Sequence, residues 1–313
     1  MTEPHFPDVV FYATPFFLLA IGLELLWLKY HPIKNAYSLK DGLTSVTMGI
    51  GSMISDLLLK ALMIVPLFWA WQYRFFDLGT SVWTVLAALV LMDFAYYVTH
   101  VAYHKIRWFW ATHIVHHSSE HFNLTTALRQ QWTNGVSGTV LFKIPLVLLG
   151  FHPLIIVFVM GINLIYQFWF HTETINKMPK WFEAIFNTPS HHRVHHGRNP
   201  RYLDCNYAGI FIIWDRLFGT FVPEMDCEKV EYGIVKPLKS YNPFVVAFHE
   251  FGALFRDVFQ PGITLSERFK YLFGPPGYAH DGSRKTVAML KSDFVQKHPD
   301  QAGTPGLAQS GKN

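Results

Sequence analysis

The sequence predicts an all-α, multi-spanning integral membrane protein with a histidine-rich cap on the cytoplasmic side. Three observations carry that expectation. Half of the 313 residues are hydrophobic, 17% are aromatic and only 15% are charged, with mean hydropathy +0.18, a balance that suits a membrane protein better than a soluble one. Several apolar runs approach the roughly 20 residues that a helix needs to cross a bilayer. Eight of the 17 histidines fall into three short groups. The net charge of +4 does not suggest nucleic-acid binding. Cys205 and Cys227 form no C-x-x-C pair, which argues against a disulfide scaffold or a thiolate metal site.

The first apolar run, Val9 to Leu28, is long enough to span. Met1 to Asp8 carries Glu3 and Asp8 but no Lys or Arg, the wrong flank for a secretory signal. Lys29, Lys34 and Lys40 follow the run, so this connection is expected on the cytoplasmic side and the N-terminus outside. Leu43 to Trp71 is a long second run, tilted or broken, containing Gly49, Gly51, Asp56 and Lys60. Tyr73 to Gly79 is a turn on the far side, and Val82 to Tyr103 crosses back. Val136 to Leu149 and Leu154 to Phe170 are joined by the turn residues Gly150 to Pro153, as two spans or a re-entrant hairpin. His152 at its tip is read as structural. Tyr207 to Phe221 reads as an amphipathic helix at the membrane interface or over the site. Residues 1–223 are thus expected to be the membrane-embedded domain and 224–313 a cytoplasmic tail. The tail should hold helices near Pro243–Phe259 and Ile263–Phe273, a break at Gly274–Gly277, and disorder from Ala302.

The histidine groups lie at span ends and in polar connections. They are His100/His104 in H-x-x-x-H, then His113/His116/His117 and His192/His195/His196, both in H-x-x-H-H. Residues three and four apart share a helix face, so each group is expected to point its rings one way. Eight imidazoles exceed what one ion uses, and the count argues for two ions close together. His171 ends the second hairpin arm beside the groups and makes a ninth candidate ligand; His191 is either a further ligand or a neighbour of one. Three acids accompany them. Asp93 lies seven residues before His100 on the same helix face, and is expected either to orient a ligand ring or to pack between helices. Glu173 is expected to orient His171 or to line the pocket, Glu120 lies three residues past His117, and with Asp93 these two are the candidate catalytic acids.

Imidazole suits Zn, Cu, Fe and Ni. A structural zinc closes with four ligands and a catalytic zinc takes three plus water, so two irons with positions left open fit the number better. Such a centre at the membrane surface admits a lipid whose chain stays in hydrocarbon while one carbon reaches the metals. The chain shows no G-x-G-x-x-G after a strand, no C-x-x-C run and no haem signature. Its electrons are therefore expected from an external donor, a small molecule or a partner protein.

These motifs on a multi-spanning chain resemble the fatty acid hydroxylase/sterol desaturase superfamily, over Asp93 to Phe221. Within it, H-H-S-S-E (116–120), N-L-T-T-A-L-R-Q (123–130), Y-Q-F-W-F-H-T-E (166–173), N-T-P-S-H-H-R-V-H-H-G-R-N-P (187–200) and the run 206–221 resemble the alkylglycerol monooxygenase family. That resemblance implies two iron ions, O2 as co-substrate and tetrahydrobiopterin as reductant. It also implies hydroxylation of the ether-bearing carbon of a glyceryl ether, in a bacterial inner membrane or the endoplasmic reticulum. The alternative of the same kind is a sterol or fatty-acyl hydroxylase or desaturase served by a protein donor. A membrane zinc hydrolase would leave half the histidines idle. A metal transporter would place ligands near the midplane, and a haem protein would need single facing histidines within spans.

Overall fold

The computed structural model describes residues 5–307, which are almost wholly helical; among them the only β pairing is two isolated bridges, Phe186 with Phe211 and Gly197 with Tyr232. The acidic flank at Glu3 and the tail residues 308–313 lie outside the described residues. Three helices are long and apolar enough to cross a membrane: Val9–Tyr30, Leu39–Trp71 and Val82–Lys105.

The first helix starts where the Asp8 side chain accepts the Phe11 N–H (3.0 Å). It is apolar all round, and Phe16, Leu19, Leu23 and Trp27 remain exposed, as lipid-facing residues do. Its one buried residue is Glu24, which accepts from the Leu124 N–H (2.9 Å), Tyr37 (3.0 Å) and Thr172 (2.5 Å). A costly intramembrane carboxylate is thus satisfied, and the helix is tied to the loops below it.

The second helix exposes Leu57, Leu58, Leu62 and Val65. It buries Asp41, Gly42, Thr44, Ser45, Met48 and Ser52 in its first half. Gly51 is required there because a Cβ would stand 2.3 Å from the Trp132 indole. The third helix is central. Ala88, Met92 and Ala95 pack with Leu67, Leu146, Val147, Ile155, Ile156 and Val159 into the main apolar core, and its last turns carry His100 and His104.

The hairpin differs from two plain spans. Its first arm is broken into Asn134–Ser137, a 3-10 turn Thr139–Lys143 and Ile144–Leu148, because Gly138 takes φ +86° and Pro145 lacks the N–H that would extend a helix. The second arm, Pro153–Trp169, is continuous and capped by His152, whose Nδ1 accepts the Leu154 N–H (3.2 Å). The tip meets the turn after the second helix, where Phe75 N–H donates to Leu148 O (2.8 Å).

Residues 207–212 are not helical, and only Ile213–Phe218 is. Two buried carboxylates hold this segment extended. Asp215 accepts the N–H groups of Tyr207 and Ala208 (both 2.8 Å), and Asp93 accepts those of Ile210 (2.6 Å) and Phe211 (3.0 Å). A Cβ on Gly209 would lie 2.6 Å from Asp93 Oδ1.

The C-terminal region is more ordered than its composition suggests. Pro243–Val258 and Leu265–Phe273 form as expected, and Val287–Lys297 is a further helix. Residues 302–307 are docked, since Arg201 donates to Gln301, Thr304 and Pro305 O and Leu307 is buried.

Candidate metal centre

The site is built where the third helix ends. Arg107–His117 turns under it as a second short helix, anchored by buried Arg107 to Glu250 (2.9 Å) and Asp257 (2.6 Å). Pro189–His195 brings the last histidines, and Phe170 closes the hairpin arm ahead of His171. All nine candidate ligands are buried. They form two groups within which the ligand atoms lie no more than 4.8 Å apart: His100, His104, His113, His117 and His195; and His116, His171, His192 and His196. The two groups touch, with the His117 and His196 rings stacked at 4.4 Å.

The expectation that each motif points its rings one way holds for His100 and His104 but fails at one position in each H-x-x-H-H motif. His113 and His117, four apart, share a group while His116 joins the other; His192 and His196 share a group while His195 crosses to the first. Three residues and four residues advance 300° and 400° around a helix, so the i+3 ring leans to the opposite side of the shared face.

The rings are oriented from behind. Nδ1 of His100 lies 2.7 Å from Tyr207 O, that of His171 2.7 Å from Gln167 O, that of His195 2.9 Å from Cys205 O and that of His116 3.3 Å from Arg129 O. A carbonyl only accepts, so each Nδ1 carries the proton and each Nε2 presents a lone pair. His116 Nε2 and His171 Nε2 nevertheless face each other at 3.2 Å. Two lone pairs at that distance repel unless a cation lies between them. Burial supports the neutral rings: together with the neighbouring imidazoles it pushes His113, His117, His192, His195 and His196 well below 6.5, and it brings His116 to about 4. Within each group adjacent Nε2 atoms stand 2.9 to 3.2 Å apart. Nitrogens bound at about 2.1 Å lie about 3.0 Å apart at right angles and about 3.4 Å at the tetrahedral angle. The spacing is that of nitrogens sharing one ion.

His104 is held differently. Its Nδ1 lies 3.5 Å from Asp204, whose other oxygen takes Lys105 Nζ at 2.8 Å, and its Nε2 is buried with no protein partner. Burial pushes the Asp204 carboxyl up, but His104 and Lys105 outweigh it and hold the group below its usual range.

None of the three acids hydrogen-bonds a candidate ligand ring, so Asp93 and Glu173 take the second of the roles expected of them, packing between elements and lining a pocket. Asp93 takes no histidine N–H; besides the two backbone bonds it accepts from the Trp214 indole Nε1 (2.9 Å) and Asn163 (2.6 Å), and it is linked to His100 through the 207–211 backbone. Glu173 turns away from His171 to accept the Tyr232 hydroxyl (2.7 Å) and lines a cavity of about 350 Å³ with Arg193, Glu224 and Tyr232. Glu120 is exposed, with its side chain against Gly233. His191 stays outside both groups, 3.8 Å from Glu183. Sequence reasoning missed Asp204, Asp215, Arg129 and Phe122. The signal for Arg129 was a cation within N-L-T-T-A-L-R-Q whose partner Asp41 lies far away in sequence; they meet at 2.9 Å. Phe122 lies 5.1 Å from the His196 ring and 5.7 Å from His171, and stacks on Tyr232 at 5.0 Å.

A helical membrane protein whose polar end gathers nine buried imidazoles into two adjoining groups is, as a class, a membrane protein of the histidine-cluster type. Residues 85–220 match the family described as fatty acid hydroxylase, so this part of the chain is a fatty acid hydroxylase domain. The human protein named alkylglycerol monooxygenase is 40% identical over 280 residues, covering 88% of this chain and 61% of that protein. The Xenopus tropicalis protein of the same name is 40% identical over 311 residues, covering 95% and 66%. Human cholesterol 25-hydroxylase is 30% identical over 145 residues, covering 44% and 50%. The chain thus spans somewhat under two thirds of the length of these two alkylglycerol monooxygenases. No solved structure matches it.

Proposed function

We propose that the chain is a membrane monooxygenase that holds two iron ions, one per histidine group, and hydroxylates the ether-bearing carbon of a glyceryl ether lipid. The opposed Nε2 atoms of His116 and His171 carry the metal reading. The ether-lipid reading rests on the reach of the similarity. Likeness to the alkylglycerol monooxygenases runs over 88% and 95% of the chain, whereas likeness to cholesterol 25-hydroxylase covers 44%.

Bound iron supplies the O2 reduction and the oxidising power that a C–H bond requires. One oxygen atom enters the C–H bond, and the other leaves as water with two electrons and two protons from the donor. The resulting hemiacetal separates into an aldehyde and glycerol. The chain's own part is positional. His100, His104, His113, His117 and His195 would hold one ion, and His116, His171, His192 and His196 the other. Carbonyls of Tyr207, Gln167, Cys205 and Arg129 fix four of the rings, and Asp204 turns His104. Residues 1–223 carry this centre, with the described part of the remainder, 224–307, packed beside it, on the side that the Lys29, Lys34 and Lys40 connection marks as cytoplasmic, in a bacterial inner membrane or the endoplasmic reticulum.

For the donor, the favoured reading is a small planar reductant of the tetrahydrobiopterin kind. The cavity beside Glu173 is small, and Tyr232 in its wall stacks on Phe122, whose ring lies 5.1 Å from His196 and 5.7 Å from His171. Purified protein in lipid, loaded with iron, tests both halves. Turnover of an alkylglycerol with tetrahydrobiopterin is expected, and Glu173→Gln should slow anaerobic reduction of the iron by the pterin but not by dithionite. Turnover of cholesterol or a fatty acyl chain with a ferredoxin, and none of alkylglycerol, would replace this reading with the sterol or acyl hydroxylase.

A further inference from the structure

Two neighbouring helices after the histidine region each carry a stripe of exposed aromatic and aliphatic residues. Along Pro243–Val258 and its C-cap the stripe is Phe244, Phe248, Phe255 and Phe259, spaced by four, seven and four residues and so on one face. A different face buries Val246, Ala247, Leu254 and Val258 against the Arg107–His117 helix and presents Glu250 and Asp257 to Arg107. Leu265–Phe273 repeats the pattern, with Leu265, Phe269 and Phe273 exposed at every fourth residue and Tyr271 buried. Leu265 is 83% exposed and Phe259 74%. Water would not tolerate seven large apolar side chains on two adjoining helices without a partner.

We propose that these helices are an in-plane membrane platform, and that the occupant of their apolar stripes is the lipid of the bilayer that the long helices cross. Continuity of surface supports this. Phe244 and Phe248 lie 5.4 and 6.1 Å from the Trp132 ring. Trp132 rests on Gly51 of the second long helix and donates its indole N–H to Met48 O (3.0 Å). Ile50, Met53 and Ile54 are exposed on that helix, so the stripe starts where the lipid-facing wall of the second helix stands. The depth agrees. A bilayer core takes about 20 helical residues, and counting back about that many from Trp71 reaches the level of Gly51 and Trp132. Trp132 then sits at the boundary where indoles gather. Arg256 and Lys270 are exposed beside the stripes, within reach of lipid headgroups. Through Arg107 the platform is joined to the helix bearing His113, His116 and His117, so seating it in lipid holds the bilayer surface against that end of the site. The expected cytoplasmic tail is in this reading partly a membrane surface.

Site-directed spin labels on the holoprotein in lipid nanodiscs test the platform. Cys205 is buried and Cys227 exposed, so a Cys227→Ser background accepts single cysteines. Labels at Phe248→Cys, Phe255→Cys and Phe269→Cys are expected to collide more with O2 than with an aqueous nickel complex. Labels at exposed Glu231 and Lys297 should show the reverse. Retained bound metal shows that each variant is folded, and Phe273→Cys repeats the reading should one position fail that check. Nickel-dominated collisions at the three positions would overturn the proposal. So would labels shielded from both reagents, whether by a second copy of the chain, revealed by spin–spin broadening, or by another protein segment.

Discussion

His116 and His195 hold matching places in two H-x-x-H-H repeats, and each points into the group that holds the other two histidines of the opposite repeat. His116 stands 3.2 Å from His171 among the rings of His192 and His196, while His195 stands 4.4 Å, ring to ring, from His100 in the five-ring group. The two short helices are therefore interlocked through their candidate ligands, and neither group is complete without both.

That exchange predicts opposite losses. His116→Ala should empty the four-ring group and His195→Ala should weaken the five-ring group, so metal per chain falls in both and turnover is abolished. Metal analysis with Mössbauer spectroscopy on each variant distinguishes the two sites. Retention of full metal and activity by either variant removes that residue from the ligand set.

Among the described residues, Asp204 is the carboxylate paired with one of the nine grouped histidines, through His104 Nδ1. Carboxylates behind ligand histidines are typically worth about 10–100-fold in metal affinity. Asp204→Asn should lower affinity in that range in a chelator competition while leaving the helix content intact. An unchanged affinity would return Asp204 to a surface pairing with Lys105.

Asp93 acts at one remove. Its four bonds, to Ile210, Phe211, Trp214 and Asn163, fix the loop that presents Tyr207 O to His100. An amide nitrogen in place of one oxygen leaves buried donors unpaired, at about 1–3 kcal/mol each. Asp93→Asn should therefore lower the unfolding temperature more than it lowers metal content at 4 °C. Full stability with lost metal would instead indicate a direct hold on a ligand.

The neutral histidine core sets a pH dependence. Burial depresses the pKa of these rings below 6.5, in His116 to about 4, so between those values the unfolded chain binds more protons than the folded one. Stability from this source is complete above 6.5 and is lost as pH falls toward 4, on the order of 3 kcal/mol for His116 alone. Thermal unfolding of metal-free protein from pH 7.5 to 5 should show a declining midpoint; a flat profile would contradict the neutral core.

Much of this was legible in the chain. Apolar run length placed the three long helices within a few residues, and spacing alone marked His100, His104, His113, His116, His117, His192, His195 and His196, with His171 added from its position at a helix end. What spacing could not show is which ring joins which group, because a difference of 100° around a helix decides it only once the partner helix is in place. The 207–212 segment was misread as helical for a related reason. Its apolar pattern fits a helix, but Asp93, over a hundred residues earlier, and Asp215 capture its N–H groups. Asp204 and Arg129 likewise take their meaning from partners far along the chain or around a turn. The Phe stripes at 244–259 and 265–273 were present in the sequence, yet the polar residues between them hid a surface that only the packing of the opposite faces makes apparent.

The most direct measurement is the metal content of detergent-purified, tag-free protein without added metal. Two irons per chain, one for each histidine group, is the expected result. A single zinc with no iron would contradict the account, because it would leave most of the nine rings without an ion and would restore a hydrolytic reading.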